Sequence, residues 1–360
     1  MKQNFLVFGK YFPPEYGGIE TITEIIFNKV KNINQELICF SKKNRANISK
    51  KKNKIFFFKE NFKILSQPIN IGYIFFSLIK IFKNNEIFIH YPNPLVFILL
   101  IPFRRKKIII FWHSDILNKG NTYKFYKFIE NLILKRASKI IVTSKSYASF
   151  SKPLKKFKYK IHIVNLTINE NIKYKNPFIK KEIISKRYIL SIGRLVEYKG
   201  YEYLIKSFKF LPQDLKLIIV GNGILNKKLN NLVKNLKLTN KVSILNNLNN
   251  NEKNWLIKKC YTFCLPSLNR SEAFGVSLLE AMFHGKPLIT SKINGSGVQE
   301  VNIEKITGYS CKARSPKSLS KIIKRIYHNK EKIHFYKNCR NRYKNKFSEK
   351  IFTKKISKLL

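Results

Sequence analysis

The chain has 360 residues, 44% of them hydrophobic, which is enough to bury two domain-sized cores and excludes a disordered chain. It carries 71 Lys and Arg residues against 20 Asp and Glu, so its formal net charge is +51. A charge of this size favours anionic partners: a phospholipid leaflet, a polyprenyl diphosphate or nucleic acid. The heavy use of Lys, Asn and Ile throughout fits compositional drift in an AT-rich genome equally well.

Short apolar runs rich in Ile, Val and Phe alternate with longer amphipathic stretches, a pattern typical of buried parallel strands joined by crossover helices. The predicted strands include residues 5–8, 108–112, 140–143, 188–192 and 217–220. With the length, this pattern predicts an α/β chain of two domains. The polar segment 169–186 is the predicted boundary region, which gives domains at 1–175 and 176–337.

The five Cys residues are scattered and odd in number, and the pair Cys260 and Cys264 has no companion Cys or His cluster. We therefore expect reduced thiols and no zinc site. The first strand begins directly after Met1-Lys2, so we expect no signal peptide. The longest charge-free stretch, 65–79, contains polar residues and is too short for a membrane span. These features predict a cytoplasmic protein.

Two loops that follow predicted strands in the first half carry candidate binding residues. Gly17 and Gly18 lie in the loop 11–20, although a Gly-Gly pair after a strand is by itself only a turn signal. The strand 108–112 ends at His113-Ser114-Asp115. Taken alone, His113 fits either a ligand-facing residue or a polar cap on a buried strand.

The most informative stretch is 267–282, in which Glu272 and Glu280 flank a Phe-Gly turn that opens an apolar helix. A continuous helix would put residues eight apart on different faces, so the two carboxylates converge only if Glu272 lies in the loop and Glu280 in the helix. The free amides of Phe274, Gly275 and Val276 then suit an anion. A nucleotide sugar, with a hexose, a diphosphate and a ribose diol, matches this layout.

With Pro266-Ser267 before it and 285–289 after it, this stretch closely resembles the E-x7-E motif of the retaining GT-B glycosyltransferases of family 4. The resemblance covers almost the whole chain in order, including the Gly-Gly loop, the His-Ser-Asp strand end, Gly193-Arg194-Leu195 with Lys199-Gly200, and the loops 221–223, 294–297 and 307–309. It is strongest to members that build bacterial polysaccharides, particularly mannosyltransferases.

The resemblance implies a GT-B fold: two Rossmann-like, doubly wound domains facing a central cleft, with the helix 338–360 packing back on the first domain. It implies a retaining, nucleotide-sugar-dependent hexosyltransferase that needs no metal ion and no cofactor besides the sugar donor. The absence of an Asp-x-Asp sequence agrees with metal independence. The implied acceptor is a growing lipopolysaccharide or capsule glycan linked to a polyprenyl diphosphate.

The family also implies a role for each matching residue. Arg194 and Lys199 would bind the donor diphosphate, near Gly193. Glu280 would hold the ribose diol, and Glu272 with the Phe274, Gly275 and Val276 amides would hold the sugar. In the first domain, Gly17 and Gly18 would approach the donor phosphates and the acceptor, and His113 would line the sugar. The other residues, all between Gly193 and Glu280, would form the donor site in the second domain.

Basic clusters at 42–45, 50–52, 104–107 and 152–160 all lie in the first half of the chain. In the resembling enzymes this half holds the acceptor and touches the membrane, so we expect peripheral attachment to the inner face of the cell membrane. The cluster 152–160 interleaves Phe157 and Tyr159 among its lysines, as an interfacial segment would.

Two loops depart from the family pattern: 163–169 lacks the usual Pro and Gly, and Asn246-Asn247 replaces a Gly. Two alternative functions are weighed against transfer. A nucleotide-sugar epimerase or phosphorylase on the same fold is disfavoured by the Glu pair with Gly-Arg-Leu. A basic nucleic-acid-binding protein would explain the charge but not the ordered glycine loops, so no nucleic-acid partner is expected.

Overall fold

A computed structural model describes residues 3–15, 17–50, 52–64, 67–117, 120–177, 187–328 and 332–360, with the side chains of 121, 122 and 332 left out. Three predicted features fall partly outside these ranges: Tyr16 of the Gly-Gly loop, Lys51 of a basic cluster, and 178–186 of the boundary segment.

The strands are short and rich in Ile, Val and Phe, and most of their central residues are buried. In chain order they are β1 (Gln3–Tyr11), β2 (Ile33–Ser41), β3 (Ile48–Lys50), β4 (Asn53–Lys59), β5 (Phe62–Ile64), β6 (Gln67–Ile69), β7 (Glu86–Tyr91), β8 (Lys107–Trp112), β9 (Lys139–Val142), β10 (Ile161–Ile163), β11 (Tyr188–Ile192), β12 (Lys216–Val220), β13 (Val242–Leu245), β14 (Thr262–Leu265), β15 (Leu288–Lys292) and β16 (Gly308–Lys312).

The helices begin at recognisable caps in several places. Asn70 accepts a hydrogen bond from the Tyr73 amide, and Asn249 forms a capping box with Glu252. The described helices are α1 (Gly18–Lys29), α2 (Ile71–Lys83), α3 (Pro94–Leu99), α4 (Gly120–Arg136), α5 (Lys145–Phe150), α6 (Tyr201–Ser207), α7 (Asn226–Asn235), α8 (Asn250–Lys259), α9 (Val276–Phe283), α10 (Val298–Val301), α11 (Pro316–His328), α12 (Lys332–Arg342) and α13 (Glu349–Leu359).

The chain divides into two compact units. Unit 1 comprises Met1–Asn169 and Glu349–Leu360, and unit 2 comprises Glu170–Ser348. Within the predicted returning segment 338–360, the end of α12 and the π-helical turn Tyr343–Phe347 belong to unit 2, and only α13 and its flanking residues join unit 1.

Unit 1 is built on an eight-stranded sheet in the order β10-β9-β8-β7-β1-β2-β4-β3, in which only the β3–β4 pair is antiparallel. The strand order reverses direction between β1 and β7. Because parallel crossovers are right-handed, α2, α3 and α4 cover one face of this sheet and α1 covers the other. The loops after β1, β7 and β8 therefore meet at one edge of the sheet.

Unit 2 is built on a six-stranded parallel sheet in the order β13-β12-β11-β14-β15-β16. Its strand order reverses between β11 and β14, and in open α/β sheets ligands bind outside the carboxyl ends of the strands at such a point. The predicted fold class, with two doubly wound Rossmann-like units, is confirmed. No helix in the described ranges has the length and apolar character needed to cross a membrane.

Candidate active site

Several of the predicted site residues of unit 2 lie together at the carboxyl end of its sheet, where the strand order reverses. Gly193 and Arg194 follow β11, and Lys199 ends a short 3₁₀ helix, Glu197–Lys199. Glu272 lies in the loop between β14 and α9, while Glu280 lies inside α9, as predicted.

At the centre of this cluster, Lys199 and Glu272 form an ion pair. The Lys199 Nζ lies 2.6 Å from the Glu272 Oε2, and the two side chains are only 10% and 9% exposed. The Ser267 hydroxyl donates to the same oxygen over 2.9 Å. Burial by itself would lower the pKa of Lys199, but Glu272 and Tyr198 outweigh it and raise that pKa, so the ammonium stays charged.

Only one oxygen of Glu272 takes part in these contacts. The other, Oε1, has no hydrogen-bond donor among the residues that the structure describes. A carboxylate held by one oxygen can still accept a hydrogen bond through the other. Glu272 is therefore fixed in position, and its Oε1 can act as a hydrogen-bond acceptor for a ligand.

Close backbone packing fixes the loops that carry this pair. Gly200, which follows Lys199, adopts φ +70°, and a Cβ there would lie 2.2 Å from the Pro266 carbonyl oxygen. The Leu268 amide donates to the Tyr198 carbonyl over 2.7 Å. The loops after β11 and β14 are thus in direct backbone contact, and only glycine fits at position 200.

The glycine turn after β12 closes the other side of the Gly193 loop. A Cβ on Gly221 would lie 1.9 Å from the Gly193 carbonyl oxygen, and the Leu195 amide donates to the Asn222 carbonyl over 2.9 Å. Asn247, beyond β13, takes φ +57°, a left-handed conformation that Asn tolerates better than most residues. Asn247 therefore holds a backbone conformation that otherwise favours glycine.

Helix α9 begins beside the ion pair. Gly275 precedes it with φ +86°, and a Cβ there would lie 2.9 Å from Leu278 Cδ1. The Val276 and Ser277 amides have no acceptor in the described part of the chain, as expected for a first helical turn. Two residues of the loop after β15 also bond this segment: the Ser296 hydroxyl donates to the Glu272 carbonyl, and the Gly297 amide donates to the Ala273 carbonyl. The result is a rigid helix start with unpaired amides.

Glu280 and Arg194 differ in their surroundings. Burial raises the pKa of Glu280, although Lys253 and Lys199 partly oppose this effect. The Arg194 side chain is exposed, donates to the Tyr198 hydroxyl over 3.3 Å and forms no ion pair with a described carboxylate. Phe274 is buried and its ring packs against Phe347, so its side chain is not exposed to a ligand.

The remaining predicted site residues lie in unit 1. Gly17 precedes α1 in an extended conformation, and a Cβ there would lie 2.3 Å from Glu20 Oε2. Gly18 is the first residue of α1, and His113 directly follows β8. All three lie at the carboxyl edge of the unit 1 sheet.

Three polar residues at these sites received no role from the sequence: Ser267, which bonds Glu272; Tyr201, whose buried hydroxyl lies beside Gly193; and His90 on β7, which bonds His113. His90 interrupts an apolar strand just before Pro92-Asn93-Pro94, which is a signal that could have been noticed. Within the described ranges, no three His, Cys, Asp or Glu side chains lie close enough to hold a metal ion.

Comparison with known sequences gives relatives of one class. Residues 173–346 match the family model described as glycosyl transferases group 1. O-antigen chain mannosyltransferase C of Escherichia coli is 25% identical over 355 residues, 95% of this chain and 93% of that protein. D-rhamnosyltransferase WbpZ of Pseudomonas aeruginosa is 28% identical over 268 residues, 72% of this chain and 68% of that protein.

A shorter match involves a named lipid-linked acceptor. Over 43% of this chain and 42% of the relative, the chain is 33% identical to N-acetylgalactosamine-N,N'-diacetylbacillosaminyl-diphospho-undecaprenol 4-alpha-N-acetylgalactosaminyltransferase of Campylobacter jejuni.

Solved structures share the fold. Sucrose-phosphate synthase of Thermosynechococcus elongatus superposes with a TM-score of 0.79 at 17% identity, over 99% of this chain and 98% of that chain. HepE of Anabaena, in complex with UDP and glucose, superposes with a TM-score of 0.74 at 16% identity, over 99% of each chain. At these identities the likeness concerns the GT-B fold alone.

The fold and the group 1 match define the class of this protein as a glycosyltransferase. This match and the two relatives that cover most of the chain support a bacterial glycosyltransferase similar to those of family 4, as the motifs predicted.

Replacing Lys199 by Met tests the buried ion pair. Removal of one partner leaves Glu272 buried without its counter-charge, so we expect the free energy of unfolding to fall by about 3 kcal/mol or more in urea titrations. Lys206→Met is the matched control, because Lys206 pairs with Glu202 at 39% and 37% exposure. That surface variant should lose at most about 1 kcal/mol. Equal losses in the two variants would contradict the importance of the buried pair.

Proposed function

We propose that this protein transfers a hexosyl residue from a nucleotide sugar to a growing bacterial surface glycan, with retention of anomeric configuration and without a metal ion. The observation that carries the proposal is the half-satisfied Glu272 carboxylate, held by Lys199 and Ser267 beside the unpaired amides that open α9. The relatives named mannosyltransferase and rhamnosyltransferase support the hexose, and the UDP complex of HepE supports a nucleotide donor.

The donor binds at the carboxyl end of the unit 2 sheet. Glu272 Oε1 accepts a hydrogen bond from a sugar hydroxyl, and Glu280 accepts hydrogen bonds from the ribose diol. The first amides of α9 donate to an anionic oxygen, because a helix N-terminus carries partial positive charge. Gly193 contributes its backbone to the donor site, and a Cβ there would lie 2.9 Å from the Tyr201 hydroxyl and 3.2 Å from the Lys199 Nζ, so these two side chains leave room only for glycine.

Charge develops on the diphosphate as the bond between the anomeric carbon and the phosphate oxygen breaks. Lys199 is already neutralised by Glu272, whereas Arg194 is exposed and free of such a pair among the described residues, so Arg194 carries the larger share of this stabilisation. In a front-face reaction, the acceptor oxygen attacks the same face and passes its proton to the departing phosphate oxygen. Retention follows from that geometry.

Glu280→Gln separates donor binding from stability. Because burial raises the pKa of Glu280 above its unfolded value, ionisation disfavours the folded state at neutral pH, and removing the charge should leave the melting temperature unchanged or higher. Loss of charge-assisted hydrogen bonds to the ribose, each about 1.5–3 kcal/mol, should raise the donor KM about tenfold or more.

The assay uses GDP-mannose, UDP-glucose and UDP-N-acetylglucosamine, with thermal shift as a first screen and RNA as the competing ligand. A parent protein stabilised by RNA alone would favour the nucleic-acid-binding alternative. An unchanged KM in Glu280→Gln, for whichever donor the parent turns over, would remove Glu280 from the donor site.

Arg194→Gln tests the stabilisation of the leaving group. Because the interaction grows as the diphosphate departs, we expect kcat to fall by about 10²–10³ while the donor KM changes little. Arg187→Gln, at another Arg of unit 2 that stacks on Tyr261 and Tyr327, serves as the control. Activity should persist in EDTA. Complete loss with chelator and recovery with manganese would contradict the metal-free reaction.

We further propose a lipid-linked acceptor and peripheral attachment to the cytoplasmic leaflet. The diphospho-undecaprenol in the name of the Campylobacter relative supports such an acceptor. On α2, the residues Ile71, Phe75, Ile79 and Phe82 form an exposed apolar row, here called the α2 stripe, with exposures between 55% and 74%. Their spacing of three or four residues puts them on one face of the helix.

A basic loop adjoins the α2 stripe. The Lys106 Nζ donates to the Phe82 carbonyl over 2.9 Å, which ties the loop 104–106 to the end of α2. Arg104 and Arg105 are exposed there, whereas Lys107 pairs with Glu86 over 2.6 Å. The predicted interfacial segment 152–160 is weaker support, because Phe157 is buried and only Tyr159 of its two aromatic residues is exposed.

Membrane binding is tested with two double variants, Arg104→Gln with Arg105→Gln, and Phe75→Ser with Phe82→Ser. Each basic residue near an anionic surface adds about 1 kcal/mol, so the double Arg variant should bind liposomes of 30% phosphatidylglycerol at least about tenfold more weakly than the parent. The double Phe variant should also bind more weakly, because it removes apolar side chains that would enter the bilayer boundary. Lys227→Gln with Lys228→Gln, which removes the same charge from unit 2, should change little. Raised salt should weaken binding further. Equal sedimentation of all four proteins would overturn the proposed surface.

A further inference from the structure

The carboxyl edge of the unit 1 sheet holds a pair of histidines that the proposed reaction does not use. His90 lies on β7 and His113 directly follows β8, and these two strands are parallel neighbours. The His90 Nδ1 lies 2.9 Å from the His113 Nε2. Both side chains are almost completely buried, at 1% and 5% exposure.

The surroundings of the pair are aromatic. Phe88 and Phe111 lie against the His90 ring, with centroid distances of 5.1 and 5.9 Å, and Phe111 stacks on His113 at 4.3 Å. Burial lowers the pKa of His90 to about 3 and holds the pKa of His113 well below its usual range, with the neighbouring His90 adding to the second effect. Both rings are therefore neutral near pH 7, so one of them donates a single hydrogen bond to the other.

The direction of this hydrogen bond follows from the far side of His90. Its Nε2 is buried and has no hydrogen-bond partner among the described residues. A buried N–H without an acceptor is rarer and more unfavourable than an unused lone pair. His90 therefore carries its proton on Nδ1 and donates it to the Nε2 of His113. His113 must then carry its own proton on Nδ1.

We propose that His90 is a positioning residue that holds His113 in its Nδ1-protonated tautomer, so that His113 presents a hydrogen-bond donor to a sugar oxygen at the carboxyl edge of the unit 1 sheet. The inference rests on the proposed function for the identity of that ligand. It assigns His113 a donating role through its side chain and excludes it as a general base, because its second nitrogen is already occupied by the His90 proton.

Proton-detected nitrogen-15 NMR of histidine-labelled protein reads the tautomer directly and needs no substrate. We expect His113 to give the signature of an Nδ1–H imidazole throughout pH 6–8. In His90→Phe the partner is lost, and His113 should shift toward the Nε2–H form. His162→Phe on the edge strand β10 changes the same residue type in the same sheet and should leave the His113 signals unchanged.

Kinetics with the preferred nucleotide sugar give an independent reading. His90→Phe should lower kcat/KM about two- to tenfold, the net effect of one hydrogen bond. An Asn amide places an N–H donor near the position of the His Nδ1, so His113→Asn should retain more activity than His113→Ala. In the His113→Asn background, where no tautomer remains to be set, His90→Phe should have no further effect.

The two proposals fail in different ways. A parent protein that turns over no nucleotide sugar contradicts the proposed function, while the NMR measurement still tests the histidine pair. An Nε2–H signature for His113 in the parent overturns the inference, as does a His90→Phe effect of equal size in both backgrounds. If His90→Phe does not fold, the same measurements are made on His90→Gln. The parent spectrum alone still tests the tautomer of His113.

Discussion

The buried ion pair between Lys199 and Glu272 is the constraint on which the proposed donor region of unit 2 depends. Its two residues come from loops after different strands, on either side of the point where the strand order reverses. Two charges removed from water stabilise a fold only when their geometry is good and further hydrogen bonds support them. Ser267 supplies one further bond, and the close approach of Gly200 to Pro266 holds the loops together.

The same packing explains why the site is surrounded by glycines. The loops around the ion pair meet backbone to backbone, and at Gly200 and Gly221 a side chain would overlap a carbonyl oxygen. The rigidity that results preorganises an acceptor at Glu272 and donors at the start of α9 before any ligand arrives. Preorganised polar groups are effective in catalysis because little reorganisation is needed when charge develops.

The surroundings of Glu280 disfavour its charge, whereas the ion pair keeps Lys199 charged. Burial raises the pKa of the Glu280 carboxyl, so its charged form is disfavoured in the folded protein even though two lysines lie near enough to oppose that effect. A residue that only stabilised the helix would not need this charge, since a neutral or apolar side chain would serve better. An unfavourable charge beside a fixed ligand-binding arrangement is typical of functional sites, and it supports a binding role for Glu280.

Much of the candidate site in unit 2 could be predicted from local sequence patterns. The Phe-Gly turn fixed the start of α9 within a few residues, and the position of Glu272 in a loop followed from helix periodicity. The pairing of Lys199 with Glu272 was not predictable, because it joins residues far apart in sequence through tertiary packing. The same limit applies to His90, whose partner His113 directly follows a neighbouring strand, and to Phe157, which tertiary contacts bury.

The net charge of +51 can be weighed against the distribution of apolar surface. Lysines are spread over both units, as compositional drift would produce, so charge alone identifies no surface. Most of the exposed large apolar side chains among the described residues lie in unit 1, and α2 and α4 expose theirs on the same face of its sheet. Compositional drift raises the use of Ile as well as Lys, but it does not by itself align exposed apolar side chains in one row on a helix. An exposed apolar row beside Arg104 and Arg105 is what an anionic bilayer surface would select, and it is this coincidence, rather than the total charge, that supports membrane attachment.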